Sequence, residues 1–355
     1  MAAKTVLVVD DSALMRKMLK QMLLDAGGFE VHTARNGVDA LEQIERVEPD
    51  VVTLDINMPE MDGLTCLSEI MRHRPCPVVM VSSLTEHNAL VTLEALELGA
   101  VDYVPKPGGT VSLNLGDVQQ ELVGKITAAA SARPSRAHQL GRRLQAQRER
   151  TATATAPPPP GARTARAELI VIGSSTGGPA LLSELLPQLP ATLPAAVVVA
   201  QHIPASFTAP LARRLDEVCQ LRVHEVDRII PVRPGNIYIG RGNADVLVAR
   251  RTDGLVVKSV PESSDYRWHP SVDRLVASAR RSCDPARLIC ALLTGMGDDG
   301  AAEMAAVKQA GGRTIAEAED TAVVWGMPGE LAHRGGATET LPAHAIVERI
   351  VAWAG

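Results

Sequence analysis

Short runs of consecutive apolar residues recur along the chain, and most of them end in a polar or acidic residue. Val6-Leu7-Val8-Val9 runs into Asp10-Asp11, Val51-Val52-Thr53-Leu54 into Asp55, and Val78-Val79-Met80-Val81 into Ser82. Runs that are continuously apolar, rather than alternating, predict strands buried on both faces, as in a parallel sheet covered by helices. Between the first two runs, Leu14, Met15, Met18, Leu19, Met22 and Leu23 repeat at helical spacing, with Ser12 placed as an N-cap and Gly27-Gly28 as the stop. Residues 38–47 and 90–98 predict further helices. The alternation predicts five βα units in about 125 residues, an open doubly wound sheet whose ligands bind at the carboxyl ends of its strands. After residue 167 the pattern restarts. Leu169-Ile170-Val171-Ile172 and residues 195–200 predict strands, and residues 288–293 predict another that runs into Gly and acids. Residues 237–257 are shorter pieces broken by Gly240, Gly242-Asn243 and Asp253-Gly254, which predict antiparallel hairpins. No internal repeat is visible in either half.

Between the two halves the composition changes. Residues 131–167 are dominated by Ala, Thr, Arg and Pro, and Pro157-Pro158-Pro159-Pro160 can join neither a helix interior nor a sheet. From Lys125 to Ala167 there are nine Lys or Arg against one acidic residue, so the rest of the chain carries more negative charge than the overall −5 suggests. The segment reads as an extended, self-repelling spacer, with residues 136–150 a candidate helix. The expected organisation is a first domain over 1–125, a basic Pro/Ala-rich linker over 126–167 and a second domain over 168–355.

Composition narrows the function classes. Of the 355 residues 46% are hydrophobic, enough for real cores. The net charge and the eight aromatic residues argue against a nucleic-acid partner that works by charge and base stacking. Five cysteines with no Cys-x-x-Cys pair fit a reducing compartment rather than a disulfide framework or a structural zinc. No apolar stretch approaches the ~18 residues of a membrane span, and no signal-peptide h-region follows Lys4. A cytoplasmic protein without membrane insertion is expected.

In the first half Asp10, Asp11, Asp55, Ser82 and Lys106 converge on the predicted strand ends. Any one of these acids could be a helix cap or a strand-end residue. Three carboxylates together repel unless a cation neutralises them, and hard oxygen ligands with room for water suit Mg²⁺. Lys106 could balance an incoming phosphoryl group, leaving Asp55 as a carboxylate nucleophile that forms an acyl phosphate.

In the second half Ile172-Gly173-Ser174-Ser175-Thr176-Gly177-Gly178-Pro179 joins a predicted strand to a helix. Neither nucleotide-binding glycine fingerprint is met. The cluster could be a plain turn. It also fits Gly-x-Ser-x-Gly, with Ser175 at a strained apex, but such a match counts only with a base and an orienting acid. His202 falls just past one strand, and Asp298-Asp299 just past another. Ser175, His202 and an acid at 298 or 299 can therefore meet on one sheet edge. His269, in Trp268-His269-Pro270, is a second histidine candidate, expected on the rim.

Residues 4–125 resemble the response-regulator receiver family through Val8-Val9-Asp10-Asp11-Ser12, Leu54-Asp55-Ile56-Asn57-Met58-Pro59-Glu60-Met61-Asp62-Gly63, Val81-Ser82-Ser83 and Lys106-Pro107. The resemblance implies a flavodoxin-like five-stranded parallel sheet and phosphorylation of Asp55 by a histidine kinase. It further implies Mg²⁺ on Asp10, Asp11, Asp55 and the carbonyl of Asn57, and switch positions at Ser82, Tyr103 and Lys106. Residues 168–355 resemble the catalytic domain of the chemotaxis protein-glutamate methylesterase (CheB) family. The matching pieces are residues 173–179, Gln201-His202-Ile203-Pro204, Pro234-Gly235-Asn236-Ile237-Tyr238, His269-Pro270-Ser271-Val272-Asp273, residues 294–300 and Gly326-Met327-Pro328. A receiver ahead of such a domain is that family's architecture. The resemblance implies an α/β domain with a mostly parallel sheet and an antiparallel hairpin. Ser175 is then the nucleophile, His202 the base and Asp299 the orienting acid, with backbone N–H groups near Thr176 or Met296 as oxyanion donors. The implied activity is phosphorylation-activated hydrolysis of glutamate γ-methyl esters, and deamidation of glutamines, on the cytoplasmic helices of methyl-accepting chemoreceptors. No cofactor is implied for the ester chemistry. The competing class is a response regulator whose second domain is a phosphorylation-dependent binding or scaffold module; the basic linker is its best support.

Overall fold

The computed structural model describes residues 3–83, 85–107, 115–131 and 167–355. The spacer and the candidate helix at 136–150 lie outside them. The chain divides into two units, one up to His138 and one from Gln139.

In the first unit the continuous apolar runs form parallel strands, as expected. β1 (Lys4–Val9), β2 (Phe29–Ala34), β3 (Val51–Asp55), β4 (Val78–Ser82) and β5 (Asp102–Pro105) pair in the order β2-β1-β3-β4-β5. β3 and β4 are buried at every position, because helices cover both faces. α1 (Ala13–Ala26) begins at Ser12, whose hydroxyl accepts from Met15 N–H, and stops at Gly27. α2 (Gly37–Val47), α3 (Gly63–His73) and α4 (Glu86–Leu98) follow β2, β3 and β4. The last helix, α5 (Leu115–Ser131), runs beyond the boundary at 125 drawn from composition. Val118, Leu122, Ile126 and Ala129 continue one buried face across it, so packing rather than composition sets where the helix ends. β1 pairs with β3 in the register Val6↔Val51 to Val9↔Leu54, and strand order reverses between them. Asp10 and Asp55 therefore leave the sheet side by side at its switch point.

The second unit has a seven-stranded parallel sheet in the order β15-β14-β13-β6-β7-β10-β8. The strands that matter most are β6 (Leu169–Ser174), β7 (Ala196–Gln201) and β13 (Leu288–Leu292), all fully buried. β10 (Asn236–Gly240) lies parallel between β7 and β8 (Arg222–Val226). This corrects the expectation of hairpins throughout 237–257: Ile237, Tyr238 and Ile239 are continuously buried, and so suit a covered parallel sheet. The antiparallel part is β11 (Asp245–Arg251) against β12 (Gly254–Val260), which also pairs with β9 (Ile230–Pro231). β14 (Arg313–Glu317) and β15 (Glu339–Leu341) complete the far edge. The helices are α6 (Gly178–Leu185), α7 (Ala205–Val218), α8 (Val272–Ser282), α9 (Ala301–Gln309), α10 (Met327–His333) and α11 (Ala343–Ala354). β6 is central, with β7 on one side and β13 on the other. The turns after these three strands share one edge. Among the described residues, no helix is long and apolar enough to cross a membrane.

Candidate active site and phosphoacceptor pocket

β6 delivers Ser175 immediately past its carboxyl end, and the turn that carries it is held on three sides. Ser175 N–H donates to Thr294 O (2.9 Å), His202 N–H to Ser174 O (3.0 Å) and Gly178 N–H to Ser175 O (2.8 Å). Ser175, expected at a strained apex, has no positive φ; the left-handed position of the turn is Gly177, whose φ is +78° and which takes it without strain. There a side chain would also meet the Val323 side chain at 2.8 Å, so glycine is required twice over. Gly295 packs so tightly on Ser175 that an added Cβ would lie 2.7 Å from the serine Cβ. The loop after β13 thus lies directly against Ser175.

The members of the two doublets differ in burial and in partners. Ser174 is wholly buried and donates to Gln201 Oε1 (2.6 Å), while Gln201 Nε2 donates to the carbonyls of Ser175 and His202 (both 3.0 Å). Ser174 is therefore a structural link between β6 and β7, and Ser175 is the partly exposed hydroxyl. Asp298 is 66% exposed and reaches only toward Arg334 (3.4 Å). Asp299 is buried and accepts from His202 Nε2 (2.8 Å), Ser271 Oγ (3.0 Å), Val272 N–H (2.7 Å) and Asp273 N–H (2.9 Å). Burial alone would raise its pKa. The hydrogen bond and charge of His202, with the two backbone amides at the start of α8, outweigh it and hold the carboxyl below its ordinary range. The carboxylate takes up His202 Nε2, and among the described residues the buried Nδ1 has no hydrogen-bond partner. Asp273, beside Asp299, is pushed up to about 6 by burial and by that neighbouring charge.

The candidate oxyanion donors differ from the nucleophile's own amide. Ser175 N–H is taken by Thr294, whereas among the described residues neither Thr176 N–H nor Met296 N–H donates a hydrogen bond. Below them Glu317 is wholly buried, accepting from Thr294 N–H (2.7 Å) and Thr321 Oγ1 (3.0 Å). Burial pushes its pKa up to about 7. His269 pairs with Asp245 (3.1 Å) rather than with the serine. Sequence reasoning met Gln201, Ser271 and Trp268 only inside motifs and gave them no role, and it did not single out Glu317. The first three lie next to residues that were singled out, but their roles depend on contacts between segments far apart in the chain.

In the first unit Lys106 Nζ lies 2.8 Å from Asp55 Oδ2 and 3.1 Å from Asp10 Oδ2. Burial raises the Asp55 pKa; Lys106 draws it down and Asp10 pushes it up again, leaving it above the ordinary value. One oxygen each from Asp10, Asp11 and Asp55 lies within 4.8 Å of the others. Three hard donors facing a single lysine can hold a divalent cation. Ser82 Oγ accepts from Thr92 Oγ1 (3.0 Å), and Tyr103 is almost fully buried, which drives its hydroxyl pKa well upward.

Residues 170–350 match the family model described as CheB methylesterase, and residues 6–114 the response regulator receiver domain. The chain is 54% identical over 353 residues to "Protein-glutamate methylesterase/protein-glutamine glutaminase 3" of Rhodospirillum rubrum, covering 98% of this chain and 95% of that one. It is 43% identical over 346 residues to the protein-glutamate methylesterase/protein-glutamine glutaminase of Archaeoglobus fulgidus, covering 98% and 97%. Among solved structures, the Thermotoga maritima CheB methylesterase catalytic domain is 36% identical with a TM-score of 0.50, covering 52% of this chain and 98% of that one.

Proposed function

Since the chain belongs to the CheB methylesterase family, in the form that carries a response-regulator receiver ahead of the esterase, we propose that it is a phosphorylation-activated serine esterase and amidase. Its substrates would be glutamate γ-methyl esters and glutamine amides on cytoplasmic chemoreceptor helices. Its phosphodonor would be a histidine kinase of the same pathway, and its place of action the cytoplasm. The observation that carries the reading is the buried Asp299 carboxylate, which three donors from residues 271–273 hold against His202, the residue across the sheet edge from Ser175.

In this reading His202 Nδ1 takes the Ser175 proton as Oγ attacks the ester carbonyl. Thr176 N–H and Met296 N–H receive the oxyanion, each such donor being worth about 3 kcal/mol. Nδ1–H then protonates the departing methoxide, releasing methanol, or the departing amide nitrogen, releasing ammonia. The acyl group is left on Ser175 Oγ. Water gives its proton to Nδ1 and attacks the acyl carbon; the serine oxygen leaves with that proton, and the glutamate is free. Asp299 keeps Nε2 protonated and stabilises the imidazolium throughout. In the receiver, Asp10, Asp11, Asp55 and the Asn57 carbonyl would hold Mg²⁺, which when bound neutralises charge on an incoming phosphoryl group. Asp55 is the acceptor carboxylate. Lys106 steadies the phosphoryl oxygens, and Ser82 and Tyr103 are the side chains that would respond. We assign 126–167 as the segment that joins the two domains, its first residues, up to Ser131, being the end of α5.

The test is methanol release from methylated receptor, with and without acetyl phosphate and Mg²⁺. Release is expected to rise with the phosphodonor, to vanish in Ser175→Ala and to lose its phosphodonor response in Asp55→Asn. Protein phosphorylated on Asp55 that releases no methanol would overturn the esterase in favour of a binding module.

A further inference from the structure

The segment from Trp268 to Ser271 is left unused by this mechanism, yet it touches both of the groups that serve Ser175. The indole of Trp268 is stacked on the imidazole of His202, with ring centroids 5.5 Å apart and planes 16° apart. Its Nε1 lies 3.6 Å from where a Cβ on Gly297 would sit, so the indole spans from the histidine to the loop that carries Met296. Three residues on, the Ser271 hydroxyl donates to Asp299. A wholly buried carboxylate anchors the whole segment: Asp245 Oδ1 accepts from Ser271 N–H (2.7 Å) and pairs with His269 Nδ1 (3.1 Å), and its Oδ2 pairs with Arg274. Arg274 also donates to Pro261 O (2.9 Å).

We propose that Trp268 is a positioning residue for His202, carried on a strap, residues 267–274, that Asp245 pins in place. The inference rests on the esterase reading for its rate effect, but its geometry does not. Among the described residues the His202 ring is tied by hydrogen bond at one nitrogen only, Nε2, and a ring held at one point can still turn about its Cβ–Cγ bond. A flat stack over its face removes that freedom and keeps Nδ1 in the one orientation from which it can exchange a proton with Ser175. The indole face also favours the imidazolium that forms when the proton arrives. The charged neighbours of this stack are Asp299 on the ring edge and the Arg267 guanidinium, 4.9 Å from the indole centroid. Asp245 thus supports the base through Trp268, and the orienting acid through Ser271.

Trp268 is only half-buried, so its replacement leaves the fold intact and the rates interpretable. In the full-length protein, Trp268→Leu is expected to lower kcat by about 10- to 100-fold with KM within twofold, because misorientation acts on the transition state. Trp268→Phe, which restores a flat face, is expected to recover most of kcat. A kcat unchanged in the leucine variant, a rise in KM alone, or equal losses in Phe and Leu would each overturn the proposal. A second readout needs no turnover. Protonating a stacked imidazole quenches the indole, so part of the tryptophan emission should titrate with pH. That part should be lost in His202→Gln and in Trp268→Phe and kept in Trp325→Phe. If no His202-dependent part exists, the stack is not formed in solution and the proposal fails. If it exists while the wild-type protein releases no methanol, the esterase reading fails and the stack stands.

Discussion

Adjacent, chemically identical residues have opposite surroundings at this site. Asp298 is exposed with a loose Arg334 contact, whereas Asp299 is buried with four donors. Asp298→Asn should leave kcat within twofold. Asp299→Asn should lower it by about 10⁴-fold, since the amide would present a donor to His202 and favour the wrong tautomer; steady-state methanol release on the two variants checks this. Glu317 makes a prediction of the opposite electrostatic sign. Its folded pKa of about 7 lies above the ordinary 4.5, so between these values the native state keeps a proton that the unfolded chain has lost. The stability tied to that proton is full below about 4.5, falls as pH rises toward about 7, and is constant above. Glu317→Gln, which has nothing to ionise, should gain thermal stability relative to the parent across that window. Melting curves of both proteins from pH 4.5 to 8 measure the difference, in which the other titrating groups cancel.

Strands place the chemistry, and turns aim it. β6, β7 and β13 are continuous apolar runs, visible in the sequence, and each ends within a few residues of a reactive group. Which turn can carry that group is a matter of backbone space. At Gly177 a positive φ and the Val323 side chain both exclude a Cβ. Gly177→Ala should therefore cost about 1–3 kcal/mol and shift Ser175. All three tryptophans, 268, 325 and 353, lie in the second unit, so denaturation followed by their emission reports that unit selectively in the intact chain. The expected result is an earlier transition together with a lower kcat. The hairpins expected at 237–257 show where element reading ended: turn residues marked the breaks correctly. Whether a short apolar piece such as β10 pairs parallel or antiparallel depends on partners that local pattern does not name.

Each of the two units has its own sheet and its own chemistry. The segment 139–355 alone should therefore hydrolyse methyl esters, and 1–138 alone should accept a phosphoryl group on Asp55. Stimulation by acetyl phosphate should need both in one chain. Mixing the separated pieces at micromolar concentration should give basal release only, because the linker supplies an effective concentration in the millimolar range. Full stimulation from the mixed pieces would show that covalent linkage is dispensable.

The two-unit α/β plan, the strand-end position of Asp10, Asp55, Ser175, His202 and the 298–299 pair, and the family were legible in the chain itself. Burial on both faces demands continuous apolar runs, and reactive residues at their ends stand out against that background. Spacing alone left the acid open between Asp298 and Asp299 and only the resemblance chose; the sequence could not show the opposite burial of the paired residues, nor that Ser175 N–H is already bonded to Thr294, nor bring Trp268 onto His202 and Ser271 onto Asp299. Those outcomes depend on burial and hydrogen-bond partners contributed by segments 26 to 119 residues away, and only the packed sheet brings such partners within bonding distance.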